Sequence, residues 1–377
     1  MGGDWSELRV SETRYPVAEM SEALETVYFT EIPAVVLGPL GVSGDYAQGS
    51  FRIPFCTTES VLACSIQRGI KAVSMSGGCA AVVVQDSMSR APVFRSRSVR
   101  DSARLCATVA ANLKVLRQVT KTASARLRLL SSCSWVAGRL SFIRFTFDTG
   151  DAMGMNMVTI ATQRITDWVV AKTGCRLVSL SSNVCADKKA AGVNFLLGRG
   201  KTVLAEAIIP ANVLQEVLHV SASAVAEVVL AKHLVGSAIA LAPGYQNSHV
   251  ANILAGVFVA TGQDVAQLVE SSMGIVLAEP EADGSLYISI TLPCLEVGTV
   301  GGGTQHPYAK RSLKLMECLG SAKKAGAQSR KLAEIIAGTC LAGELSLLAS
   351  LAEGTLARAH HKHRGTKRRC RKSQESA

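Results

Sequence analysis

The sequence predicts an α+β protein, and three observations carry that expectation. Aromatic residues make up only 5% of the chain while hydrophobic residues reach 48%, so the core must be built from Ala, Val and Leu, which suits mixed helix and sheet packing better than an aromatic-rich sandwich. A length of 377 residues allows two or three domains with sizeable cores. Between Pro92 and Ser182 the helical and strand-like patterns follow an α-β-β-α-β order, the order of helices laid on one face of an antiparallel sheet.

The elements follow in chain order. Residues 1–24 are polar and lack a period. The apolar run IPAVVLGPL, ending in a Gly-Pro turn, predicts a strand, and Gly49–Cys56 a second. Thr57-Thr58-Glu59-Ser60 then opens the helical pattern VLACSIQRGIKAVS, with Thr57 or Thr58 as its cap. A helix is expected over Asp101–Val119, strands around Ser134–Phe147 with FIRFTF the clearest, a helix from Gly150-Asp151 to just before Gly174, and a strand at RLVSLSS. Further on, the pattern predicts helices over Ala211–Leu234 and Val250–Ser271, strands near Ile275–Ala278 and Leu286–Leu292, and a glycine-rich loop at Gly298–Thr304 before helices that continue to His363.

Charge and cysteine usage narrow the function. The net charge of +11 is concentrated. Eight of the 40 basic residues lie between Arg358 and Lys372, and a second basic stretch runs from Arg95 to Arg144. Neither run is accompanied by a helix-turn-helix, a zinc-finger spacing or an aromatic RNA-binding pattern, so nucleic acid is not the expected partner. A basic domain serves a small ligand with several phosphates equally well. The 11 cysteines are odd in number and contain no C-x-x-C pair, which predicts reduced thiols and no metal site. No apolar stretch approaches the ~20 residues of a membrane span, and Asp4, Glu7 and Arg9 leave no room for a signal peptide. A cytoplasmic location is expected.

Seven segments then speak together: TTES at 57–60, DAMGMNM at 151–157, SSNVCADKKA at 181–190, LVGSA at 234–238, GQD at 262–264, GTVGGGT at 298–304 and GELSL at 343–347. In this order they resemble the catalytic portion of class I 3-hydroxy-3-methylglutaryl-coenzyme A reductases, from about Ile32 to His363. The resemblance implies a large mixed helical and sheet dimerisation domain (25–91 and 183–360) with an inserted small ferredoxin-like α+β domain (92–182) that binds NADP. A basic flexible tail would follow at 361–377. It also implies reduction of a thioester to an alcohol with two hydrides from NADPH, yielding mevalonate and free coenzyme A, in a homodimer or tetramer whose active sites lie between subunits.

Residue by residue, the resemblance implies four catalytic groups: Glu59, Lys188, Asp264 and His360. Each hydride addition builds negative charge on a carbonyl oxygen, which an ammonium such as that of Lys188 can stabilise. Asp264, expected inside an apolar helix, would hold that lysine charged, and Glu59 would act as general acid. An imidazolium at His360 can protonate the departing thiolate. In the family the lysine loop of one chain meets the two acids of the other. Arg90, Ser181, Asp187, Lys189, Lys232, His249 and Asn252 match contacts to the acyl group, and Ser65, Arg68 and Lys71 match contacts to coenzyme A. Ser124, Asp151, Met153, Gly154, Met155, Asn156, Gly301, Gly302 and Thr304 match the nicotinamide cofactor's surroundings. The chain departs from the family at Glu25–Phe29, at Ser60, at Lys71 where Arg is usual, and at Ala125, where Arg126 or Arg128 would have to take over the 2′-phosphate. A non-catalytic paralogue, a degradative NAD-using relative and a basic nucleic-acid-binding module are the competing readings. The four-residue set favours the enzyme.

Overall fold

A computed structural model describes residues 31–354, apart from 243 and 321–323. His360, the basic tail and the Glu25–Phe29 segment lie outside the described residues.

The chain starts with an antiparallel pair, β1 (Ala34–Gly44) and β2 (Gln48–Cys56). Helix α1 (Ser60–Met75) follows and packs its Ile66, Ile70 and Val73 into the large core. Neither Thr57 nor Thr58 caps it. Glu59 occupies the cap position with extended backbone and no side-chain cap bond, while the Thr57 hydroxyl accepts the Glu59 N–H. Strand β3 (Cys79–Arg90) was not expected. Its Ala- and Ser-rich composition masks a strand that serves two sheets: Ala80–Ser87 pair with β8, and Met88–Arg90 pair with β6.

The second sheet gathers β4 (Val93–Arg95), β5 (Arg128–Ala137), β6 (Leu140–Asp148) and β7 (Arg176–Ser179), all antiparallel. Its core is separate and is formed by Phe94, Phe145, Phe147, Val158, Ile165 and neighbours. The helix expected over Asp101–Val119 is two helices, α2 (Val99–Ala111) and α3 (Leu113–Ala123), broken at Asn112. Helix α4 (Met155–Thr173) begins at Gly154 and ends at Gly174, both left-handed. This is the α-β-β-α-β order, with β4 added.

After the short α5 (Gly192–Leu197) the chain re-enters the first sheet through β8 (Gly200–Ile209), which lies between β3 and β11 (Leu286–Leu295). The helix expected over Ala211–Leu234 is fragmented. α6 (Ala211–Val213) and α7 (Ala222–Val228) each run into a wider π turn, Leu214–Leu218 and Val229–Gly236, and α8 (Ser237–Ile239) ends the run. The helix expected over Val250–Ser271 also breaks: α9 (Val250–Thr261) stops at left-handed Gly262, and Val265–Gln267 and α10 (Leu268–Ser271) resume it. Asp264 therefore sits in a turn, not within a helix. β9 (Tyr245–Gln246) and β10 (Gly274–Pro280) complete the first sheet. α11 (Pro307–Leu315) precedes α12 (Ala327–Ala352), whose residues from Leu332 to Ser346 are all buried. α12 and the 222–239 stretch both have the length and hydropathy of a membrane span; 78% of the α12 window is buried inside the protein, which marks it as a core helix.

Candidate active site

Three turns meet where the two sheets join. The first is the start of α4, Ala152–Met157. Its Gly154 packs against Thr149, whose side chain a Cβ at 154 would overlap, and its φ of 95° favours glycine. The second is the Gly262–Asp264 turn that ends α9. The third is the Gly298–Thr304 loop. The last two are tied by Gln263, which accepts the Gly298 N–H at 2.9 Å and donates to the Gly298 carbonyl at 3.0 Å. Gly262 and Gly303 cross so closely that a Cβ on either would strike the other's backbone.

These turns enclose a cleft of about 620 Å³. Arg90, Asp187, Lys188 and Asp264 share its lining with Met153, Gly154, Met155, Asn156, Gly301, Gly302 and Thr304. The ammonium of Lys188 lies 3.1 Å from an Asp264 carboxylate oxygen. That bond, working against some desolvation, raises the lysine above its usual value and keeps it charged. The expectation that the lysine meets Asp264 across a subunit boundary is corrected here: the pair forms within one chain, because the α9 break delivers Asp264 to the lysine turn. Glu59 does not join them. It stands exposed at the head of α1, outside this cleft.

Arg90, at the end of β3, donates to Thr159 at 3.0 Å and to Ser181 at 3.5 Å, and lies 3.5 Å from Asp187. Lys189 is exposed and turns back onto the Asp187 carbonyl at 3.1 Å. The other acyl candidates lie off the cleft lining. Lys232 and Asn252 are exposed, and His249 donates its backbone N–H to Glu344 at 2.7 Å with its ring Nε2 2.9 Å from the Gly343 carbonyl. Arg68 is spent internally on Ser346 and Ser350 of α12, and Ser65 bonds Ser346 at 3.0 Å, while Lys71 is exposed. The Asp151 carboxylate accepts the N–H groups of Gly326 and Ser329 at the start of α12 (3.1 and 2.9 Å), so it fastens the loop rather than facing the cleft. Of the two arginines near Ser124, Arg128 is paired with Asp148 and Arg126 is exposed.

Beneath the lysine turn lies a buried ionic group that the sequence gave no sign of. Arg199, wholly buried, reaches Asp187 at 2.8 Å, Glu296 at 2.6 Å and Glu270 at 3.6 Å. Burial pushes Glu270 up and Glu296 well above the ordinary carboxylate range, with Arg199 opposing. One oxygen from each of the three acids lies within 4.8 Å of the others, and the guanidinium already occupies their midst.

The site is an ammonium–carboxylate pair on the wall of a glycine- and methionine-lined cleft, where an antiparallel sheet meets a mixed one, and such a pair can neutralise negative charge on a bound group. The family model for hydroxymethylglutaryl-coenzyme A reductase matches residues 6–365. The chain is 46% identical to the 3-hydroxy-3-methylglutaryl-coenzyme A reductase of Pyrococcus horikoshii over 334 residues, 88% of this chain and 80% of that one. With the enzyme of Haloferax volcanii it shares 42% over 347 residues, 92% and 86% of the two chains. With reductase 2 of Arabidopsis thaliana it shares 42% over 346 residues, 91% of this chain and 61% of that one. In fold it is similar to the class II reductase from Streptococcus pneumoniae solved with NADPH, with a TM-score of 0.69 at 19% identity and 89% of each chain covered. The chain belongs to the hydroxymethylglutaryl-coenzyme A reductase family.

Proposed function

We propose that the chain is a class I 3-hydroxy-3-methylglutaryl-coenzyme A reductase that reduces its thioester substrate to mevalonate and free coenzyme A with NADPH. The Lys188–Asp264 pair on the wall of the shared cleft is the observation that carries the reading. The class I assignment is supported by the contrast between 46% identity to the Pyrococcus enzyme and 19% to the class II structure.

The cleft fits a dinucleotide. Gly301 and Gly302 have φ of 82° and 54° and face open space where side chains would stand, so their backbone can approach a pyrophosphate. Asn156 offers hydrogen bonds, Thr304 braces the loop by donating to the Gly301 carbonyl at 2.7 Å, the methionines give a polarisable wall, and Ser124 with exposed Arg126 the groups for a 2′-phosphate. Bound NADPH supplies the hydride at each of the two reductions. The Lys188 ammonium donates to the carbonyl oxygen as its negative charge grows, and Asp264 keeps that ammonium protonated and aimed. Arg90, held by Thr159 and Asp187, suits the free carboxylate of the acyl group.

The remaining parts of the reading follow from the family. Glu59, standing apart from Lys188 within one chain, would be supplied by the partner of a homodimer as general acid, and His360 would protonate the coenzyme A thiolate. Exposed Leu196, Ile239 and Leu241 (82%, 79% and 85% exposed) support a covered face of this kind. The two separate cores support a small NADP-binding unit at 92–182 inserted between 25–91 and 183–360. The test is NADPH oxidation with 3-hydroxy-3-methylglutaryl-coenzyme A. Lys188→Ala should lower kcat by about 10³-fold while NADPH still binds, and an inactive parent, or a Lys188→Ala variant as fast as the parent, would reject the reading.

A further inference from the structure

We propose that Glu270 is a positioning residue for Lys188: its carboxyl, buried beneath the Asp187–Lys189 turn, fixes the backbone at 188 so that the ammonium group meets Asp264. The kinetic arm of this inference rests on the reductase reading.

Lys188 has a φ of 57°, a left-handed conformation that a lysine does not adopt without help. Its side chain is 45% exposed, so packing does not hold it. The restraint comes from below. The Lys188 N–H donates to Glu270 Oε1 at 2.7 Å. Glu270 is fully buried and does not line the cleft, so it acts through the lysine rather than on a ligand. Arg199 completes the clamp by drawing the neighbouring Asp187 downward at 2.8 Å, which pins the turn at two successive residues. Glu270 and Glu296 both lie beside the Arg199 guanidinium. Burial shifts both acids upward, with Arg199 opposing.

Two substitutions separate reach from charge. Glu270→Gln keeps an oxygen where the Lys188 N–H points and removes the charge beside Arg199. Glu270→Asp keeps the charge beside Arg199 but draws the oxygen back by one methylene. Steady-state kinetics on the full chain should leave Glu270→Gln within about threefold of the parent kcat and lower Glu270→Asp at least tenfold, with both KM values within about twofold. A lysine-acetylation footprint, read by mass spectrometry on the protein without ligands, gives the same answer independently of turnover. Lys188 should label several-fold faster in Glu270→Asp, where its bond to Asp264 loosens, and at the parent rate in Glu270→Gln. Should the Asp variant fail to fold, Glu270→Met fills the space without an acceptor and carries the same expectations. The reverse order, or parent-like kinetics and labelling in the shortened variant, overturns the proposal and makes Glu270 only a counter-charge for Arg199. An inactive parent removes the reductase reading alone, since the footprint still decides this one.

Discussion

His233→Gln removes an imidazole that the fold keeps neutral. His233 is fully buried on the π turn after α7, with Nε2 2.7 Å from the Ser248 hydroxyl and 3.8 Å from Glu344. Burial, with neighbouring Lys232 adding to it, holds the ring down to about 4 from its ordinary 6.5, while the Val276 backbone opposes. Above pH 6.5 the ring is neutral in both folded and unfolded chains and contributes no pH dependence. As pH falls from 6.5 towards 4, the unfolded chain takes up a proton that the folded chain refuses, so stability declines with acidification. A gap of roughly 2.5 pH units at ~1.4 kcal/mol each makes the loss about 3 kcal/mol. Glutamine keeps a hydrogen-bond partner for Ser248 and does not titrate. Urea unfolding followed by far-UV circular dichroism, at pH 7.5 and pH 4.5 and one protein concentration, should therefore show the parent ahead at the higher pH by about 1 kcal/mol. At the lower pH that lead should shrink or reverse by 2–3 kcal/mol (an order-of-magnitude figure). A parent-minus-variant difference unchanged between the two pH values would show that His233 is not held neutral.

Gly262→Ala places a Cβ against the Gly303 carbonyl at a φ of 68°; the displaced Gly298–Thr304 loop should lower kcat/KM at least tenfold and raise the KM for NADPH, and a parent-like KM would show that the two turns are not coupled. Arg126→Ala should raise the KM for NADPH about tenfold and leave that for NADH unchanged, whereas Arg128→Ala, already neutralised by Asp148, should affect both cofactors little. Equal effects of the two arginines on NADPH would assign the 2′-phosphate differently.

The outer parts of the fold were readable because their patterns are local. Gly174 closes α4 where the sequence put a stop, and FIRFTF forms the expected strand, though Arg144 is buried with Ile143 and Phe145 on either side of it. What the sequence hid depends on tertiary contact. Strands β3 and β8 mix Val, Ile and Thr with Ala, Ser and charged residues, so no clean alternation announces them, and they form as ladder partners of one another. The apolar pattern through Gly262 reads as one helix, yet the Gly303 backbone needs the space that a continuous helix would fill. The site divides in the same way. Lys188, Asp264 and the two glycine-bearing loops lie in recognisable strings, while Arg199, Glu270 and Glu296 sit in ordinary-looking text. Only packing reveals that these three charges are buried together. Arg68 shows what the sequence leaves out: α12 passes close enough for its Ser346 and Ser350 to bond the guanidinium.

The register of β3 against β8 has an architectural consequence. Ser87 and Gly200 are direct partners, so the chain leaves the first sheet and comes home at the two ends of one rung. Everything between them is, in connectivity, a cassette on a two-legged stem, and a tight hairpin joining those ends would leave every remaining pairing of the first sheet in place. Arg199 stands on the returning leg. A graft that discards it must also change Glu270 and Glu296, whose charges would otherwise be left in the interior without their counter-ion.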